Sequence, residues 1–239
     1  MGKLYLVRHG RTAWNKGEVF RGTTDVPLDE VGREQAKLLG RALYEQAPNP
    51  ITVFCSPLSR AAETARIVSD AFGRYETSKT SDTSDTCSIP RLIPRPIPLP
   101  DLRFTDIDVG EWSGMALTDV ETKYPGQYDA WVRTPHLVRF PGGQTLQEVQ
   151  DQAWNGVESL VTLARENDVI LVSHRLTLKT IILKAVGAGL EDFWSIRLDT
   201  ASISILEMTS NGGGQRLTLS RLNDVSHLAQ MRLPDRIDF

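Results

Sequence analysis

Three short apolar runs, LYLV at 4–7, ITVFC at 51–55 and VILV at 169–172, show no polar alternation. A strand wetted on one face alternates apolar with polar, and one covered on both faces does not. The runs therefore predict strands of a parallel sheet with helices on each side. Each leads toward a segment of helical period, at 29–46, 57–72 and 176–187, which is the pattern of repeated βα units.

The helix signals are local and specific. Ser56 stands as a candidate N-cap with Pro57 at the first helical position, and Leu58, Ala61, Ala62, Ala65, Val68 and Phe72 trace an apolar stripe. A further helix opens at Thr145, where Glu148 completes a capping box, and is expected to run to about Glu166. Near the end of the chain 201–208 and 216–222 alternate around Asn211 and three glycines, which predicts a hairpin. Those glycines lack the surrounding residues of a phosphate-binding loop.

Two stretches interrupt the βα pattern. Residues 74–88 are crowded with Ser, Thr and Asp, and 90–100 hold five prolines, so about 74–98 reads as a mobile surface insertion. Residues 104–143 contain Trp112, Tyr124, Tyr128 and Trp131 among turn residues, a composition suited to a cap over a site. The expected fold is a three-layer α/β/α sandwich with a mainly parallel central sheet, with 1–239 as one decorated domain.

Composition narrows the partners. A net charge of -3 lacks the basic excess that nucleic acid or an anionic membrane favours. No apolar stretch approaches the ~20 residues of a membrane span, and the N-terminus lacks a signal-peptide pattern, so a cytoplasmic location is expected. Cys55 and Cys87 have no CxxC spacing and read as reduced, structural thiols. With four histidines and no H-E-x-x-H, no catalytic metal is expected. The sequence leaves oligomeric state open.

In open α/β sheets ligands gather outside the carboxyl ends of the strands. Here the first run ends in Arg8 and His9, Arg60 follows the second by one helical turn, and the third is followed by Ser173, His174 and Arg175. Arginine forks and imidazoles converging from three segments suit the non-bridging oxygens of a phosphoryl group. A neutral imidazole can also attack phosphorus, splitting one displacement into two without a metal or other cofactor.

The segment LVRHGRTAWN at 6–15 resembles the Arg-His-Gly signature of the histidine phosphatase, or phosphoglycerate mutase-like, superfamily. RGTTDVPLDEVGREQA at 21–36, SPLSRAAETA at 56–65, VGEWSG at 109–114, VSHRLTLK at 172–179 and LNDVSHL at 222–228 are similar to its later blocks, in the family's order. The resemblance implies His9 as nucleophile, Arg8 and Arg60 as phosphoryl grips, His174 as the second histidine and Asn15 at the edge of the pocket. Arg21, Gly22 and Arg175 are expected at the substrate. The family's acid is usually glutamate; Asp106 holds that position here, with Asp108 and Glu111 as rival carboxylates. Arg175 also departs from the family, where glycine commonly follows the histidine. His136 and His227 lie outside the matching phosphate segments.

The reading is a phosphomonoester hydrolase acting on a small phosphorylated metabolite. A cofactor-dependent phosphoglycerate mutase is the rival, and its R-L-N-E-R-H-Y-G block is replaced by LRFTDIDVGEWSG at 102–114. A silent phosphoprotein-binding module that has lost its acid is a third reading, resting on Asp106.

Overall fold

The computed structural model describes residues 2–15, 19–47, 51–79, 95–211 and 214–231. Six strands form one sheet: β1 (Lys3–Arg8), β2 (Ile51–Cys55), β3 (Leu99–Pro100), β4 (Asp168–Ser173), β5 (Ile203–Asn211) and β6 (Gly214–Asp224), in the order β3-β2-β4-β1-β5-β6. β3, β2, β4 and β1 run parallel, and β5 and β6 add an antiparallel hairpin beside β1. The three apolar runs are β1, β2 and β4, the adjacent parallel strands of the sheet, as their lack of alternation predicts.

Side chains leave successive residues of a strand on opposite faces, which divides the core in two. Tyr5, Val7, Val53, Cys55, Ile170 and Val172 pack against α1 (Glu30–Gln46) and α2 (Ser59–Lys79). Leu4, Leu6, Val169 and Leu171 pack against α5 (Leu146–Leu163) and α6 (Arg175–Val186). This is the expected three-layer α/β/α arrangement. Cys55 is buried and free, and burial pushes its thiol up to about 11. Cys87 lies outside the described residues.

The helix starts test the sequence signals one at a time. Thr145 and Glu148 form the expected reciprocal capping box at α5. Helix α2 starts at Ser59, two residues later than expected, and the Ser56 hydroxyl accepts from the Leu58 N–H and meets His174. It also runs to Lys79, so residues 74–79, read as insertion, continue the helix. The remainder of the insertion, 80–94, lies outside the described residues. The proline-rich stretch ends in β3, a two-residue edge strand, where proline's missing N–H costs no ladder bond in the sheet interior.

Residues 104–143 contain the short helices α3 (Leu117–Lys123) and α4 (Pro125–Arg133). Their apolar side chains form a third cluster, with Trp112, Trp131 and Phe140 at its centre and Phe193 beside them. The Val19–Ala116 bridge and the paired Phe20 and Met115 backbones join this segment to the loop after β1. Among the described residues, no helix is long and apolar enough to cross a membrane.

One close approach ties α5 to the functional edge. A Cβ on Gly156 would stand 2.4 Å from Cζ of the buried Phe104 ring. Alanine normally improves a helix interior over glycine by about 1 kcal/mol. Here overpacking outweighs that gain, and Gly156→Ala is expected to destabilise the protein by about 1–3 kcal/mol. Urea denaturation measures it, and a raised midpoint would show that Phe104 yields easily.

Candidate active site

Register places the chemistry. Arg8 pairs with Ser173 and Cys55 with Val172, so His9 and His174 leave neighbouring strands at one level and Ser56 leaves β2 one residue below them. The His9 N–H donates to the Ser173 carbonyl and the Ser56 N–H to that of Val172, continuing the strand pairing one residue past each end. The His9 and His174 ring centroids are 5.2 Å apart.

His9 is held in one tautomer. Its Nδ1 lies 2.7 Å from the Gly10 carbonyl oxygen, which can only accept, so Nδ1 carries the proton and Nε2 the lone pair. Burial, then the nearby Arg60, His174, Arg8 and Arg21, hold His9 well below the usual histidine range. It is therefore neutral near pH 7, the state in which Nε2 is nucleophilic.

His174 has the opposite tautomer. Its Nδ1 accepts from Arg60 Nε at 3.2 Å, so Nε2 bears the proton and donates to Ser56 Oγ at 2.7 Å. Burial, with Arg60, Arg21 and Arg8, likewise keeps it neutral.

Arg60 is wholly buried and largely committed to protein acceptors. Besides His174, it donates through Nη1 to Thr24 O and through Nη2 to Gly22 O and Asp106 Oδ2, at 2.8, 2.9 and 3.2 Å. Of five guanidinium N–H groups, no more than one is left for a phosphoryl oxygen. The bidentate grip expected of Arg60 is thus not the resting arrangement. Arg8, also fully buried, donates Nη1 to the Leu198 carbonyl at 2.5 Å.

Above this floor lies a cleft of roughly 730 Å³ including its open mouth, lined by His9, Asn15, Arg21, Gly22, Asp106 and Arg175 among others. Six of the nine expected site residues thus line it, while Arg8, Arg60 and His174 form the buried layer alongside. Asn15 uses its Oδ1 to hold the Thr12 N–H and hydroxyl, so its orientation is fixed by the loop it borders. Arg21 donates weakly to Thr12 Oγ1, and burial among Arg8, Arg175 and Arg60 lowers its basicity. Gly22 has φ +51, and a Cβ there would meet Val109 and Ile107, so glycine brings its carbonyl to Arg60 without obstruction.

The rival carboxylates are engaged elsewhere. Asp108 accepts from the Gly110 N–H and Glu111 from the Tyr124 hydroxyl, and neither lines the cleft. Asp106 does, held by Arg60 and by the Ile107 N–H. Two bonds fix its segment: Ser173 Oγ donates to Phe104 O and Thr177 Oγ1 to Thr105 O. His136 and His227 are not among the lining residues.

Sequence reasoning missed Ser56 and Thr64 as site residues. Thr64 Oγ1 donates to the Arg60 carbonyl and accepts from the Gly10 N–H, locking the loop after β1 to α2. Both lie inside the SPLSRAAETA block, where Ser56 read only as a cap.

A sequence profile of the histidine phosphatase superfamily, branch 1, matches residues 4–85 and 95–224. The chain belongs to that family. It is 31% identical over 230 residues to a Hydrogenobacter thermophilus protein named phosphoserine phosphatase 1, covering 96% of each chain. It is 26% identical to an Arabidopsis thaliana protein named metal-independent phosphoserine phosphatase, covering 96% of this chain and 84% of that one. Among solved structures, YhfR of Bacillus stearothermophilus aligns with a TM-score of 0.77 at 30% identity, covering 95% of this chain and 98% of that one.

The neutral histidines have a thermodynamic consequence. His9, His174 and His227 all have folded-state pKa values below the ordinary 6.5, so below that pH the unfolded chain binds more protons than the folded one. Stability in phosphate-free buffer is therefore expected to fall as pH drops below about 6.5. His9→Asn is expected to flatten that slope by up to about 1.4 kcal/mol per pH unit. Urea titrations between pH 7.5 and 5 measure both; identical slopes would mean His9 protonates freely in the fold.

Proposed function

We propose that this protein hydrolyses phosphomonoesters of small metabolites through a phosphohistidine on His9. The observation that carries the reading is the His9 tautomer: Nδ1–H fixed by the Gly10 carbonyl, with a neutral ring beside buried arginines. The names of the relatives agree with it, since two of the most similar are called phosphoserine phosphatases.

In the proposed first step His9 Nε2 attacks phosphorus, an N–P bond forms, and the P–O ester bond breaks. Asp106 gives its proton to the departing alcohol oxygen. In the second step Asp106 takes a proton from water as its oxygen attacks phosphorus, and the N–P bond breaks to release phosphate. Arg8, Arg60 and His174 stabilise the charge on the transferring group, while Asn15, Arg21, Gly22 and Arg175 shape its entry.

The remaining parts of the proposal are less local. Residues 104–143 serve as the cap, 1–239 act as one domain, and the setting is cytoplasmic, consistent with the small net charge and the free Cys55. Relatives named phosphoglycerate mutase, at 27% identity, keep a mutase reading testable. Turnover of 3-phosphoglycerate that depends on added 2,3-bisphosphoglycerate would favour it.

Rapid quench during turnover is expected to trap acid-labile, base-stable phosphate on the protein, absent from His9→Ala. Activity is expected to survive chelation; loss with EDTA and recovery with a divalent ion would contradict the mechanism. Asp106→Asn is expected to slow alkyl phosphates by about 10²-fold or more, the scale of a lost general acid. It should slow p-nitrophenyl phosphate much less, because that phenolate leaves without a proton. If Glu111→Gln or Asp108→Asn shows the leaving-group dependence instead, the acid is misassigned.

A further inference from the structure

Away from the phosphoryl floor the cleft changes character. Trp14 and Phe20 from the loop after β1, Leu117 from α3, Trp131 from α4 and Leu176 from α6 line it. These side chains come from four separate elements. Trp131 is fixed between Phe140, Phe193 and Trp194, and Phe20 is set edge-on to Trp112, so much of the wall is preformed. Among the described lining residues the charged ones are Arg21, Arg175 and Asp106, besides the neutral His9. Asp106 is the sole carboxylate among them, and its two oxygens already accept from Arg60 and from the Ile107 N–H.

We infer that the alcohol portion of the substrate is apolar, an arylalkyl or branched alkyl group lying on the Trp14, Phe20, Leu117, Trp131 and Leu176 wall. The inference rests on the phosphohydrolase reading and extends it to substrate class. A monoester of a zwitterionic amino acid brings an ammonium that needs a counter-charge once it leaves water. Among the described lining residues the one carboxylate is committed to the buried Arg60 and, in the proposed mechanism, to the leaving oxygen. An arylalkyl group makes no such demand and removes apolar surface from water on both sides. Hydrolysis then consumes one water and releases the alcohol and inorganic phosphate, with no other co-reactant.

The test compares kcat/KM of the full-length protein for 2-phenylethyl phosphate, ethyl phosphate and O-phosphoserine. The first two release alcohols of similar basicity, so their ratio reports the wall and not the chemistry. We expect 2-phenylethyl phosphate to exceed each of the others by about tenfold or more, since even single methylenes in an apolar pocket reach that scale. Trp14→Ala and, separately, Leu117→Ser should each lower the phenylethyl-to-ethyl ratio at least about threefold; both residues are half-exposed, so neither change opens the core. A wild-type ratio near one, faster use of phosphoserine, or an unchanged ratio in both variants would overturn the inference and leave the hydrolase reading standing. Hydrolysis of none of the three would overturn the inference, and a failure to trap phosphate on His9 with p-nitrophenyl phosphate as well would overturn the hydrolase reading.

Discussion

The constraint on which the rest of the site depends is the burial of two arginines and two histidines at one edge of the sheet. Arg8, His9, Arg60 and His174 are each 1% exposed or less. Removing that much positive charge from water costs several kcal/mol per ion unless it is paired or hydrogen-bonded. The fold meets the cost in two ways. Both imidazoles stay neutral, and the guanidinium groups are met by the carbonyls of Leu198, Gly22 and Thr24 and by the Asp106 carboxylate. A dianion entering the cleft would bring the opposite charge to these groups, so the same buried cations favour phosphoryl binding.

Every larger feature of the architecture serves to hold these groups in register. The parallel pairing of β1 with β4 and of β4 with β2 delivers His9 and His174 to one level, with Ser56 one residue below. Thr64 then couples the loop after β1 to the helix that carries Arg60. Ser173 and Thr177 reach from β4 and α6 to the backbone at Phe104 and Thr105, which places Asp106 against Arg60. Carbonyl and hydroxyl partners supply most of this alignment.

That distribution explains what was legible in the sequence. β1, β2 and β4 could be read because their burial on both faces removes polar alternation, and α5 because a capping box is a three-residue signal. His9 and Asp106 were legible through the motif order. Ser56 was legible only as a cap, because its bond to His174 joins residues 118 positions apart and no local pattern encodes it. Arg60 shows the same limit from the other side. Its place on the helix was readable, but its commitment to the Gly22 and Thr24 carbonyls depends on a backbone turn brought in from elsewhere.

Arg60 also ties the phosphoryl floor to the carboxylate proposed as the acid. At rest one guanidinium joins the Gly22 and Thr24 turn, the second histidine and the carboxylate proposed as the acid. If a phosphoryl group draws that guanidinium toward itself, the bond to Asp106 Oδ2 weakens in the same movement. In the proposed mechanism that movement would free Asp106 Oδ2 to face the leaving oxygen. An aspartate in place of the longer glutamate fits such an exchange, because the shorter side chain keeps the carboxyl within reach of Arg60 while its backbone is anchored from β4 and α6. Phosphoryl binding and the placement of the proposed acid would then be coupled through one buried arginine.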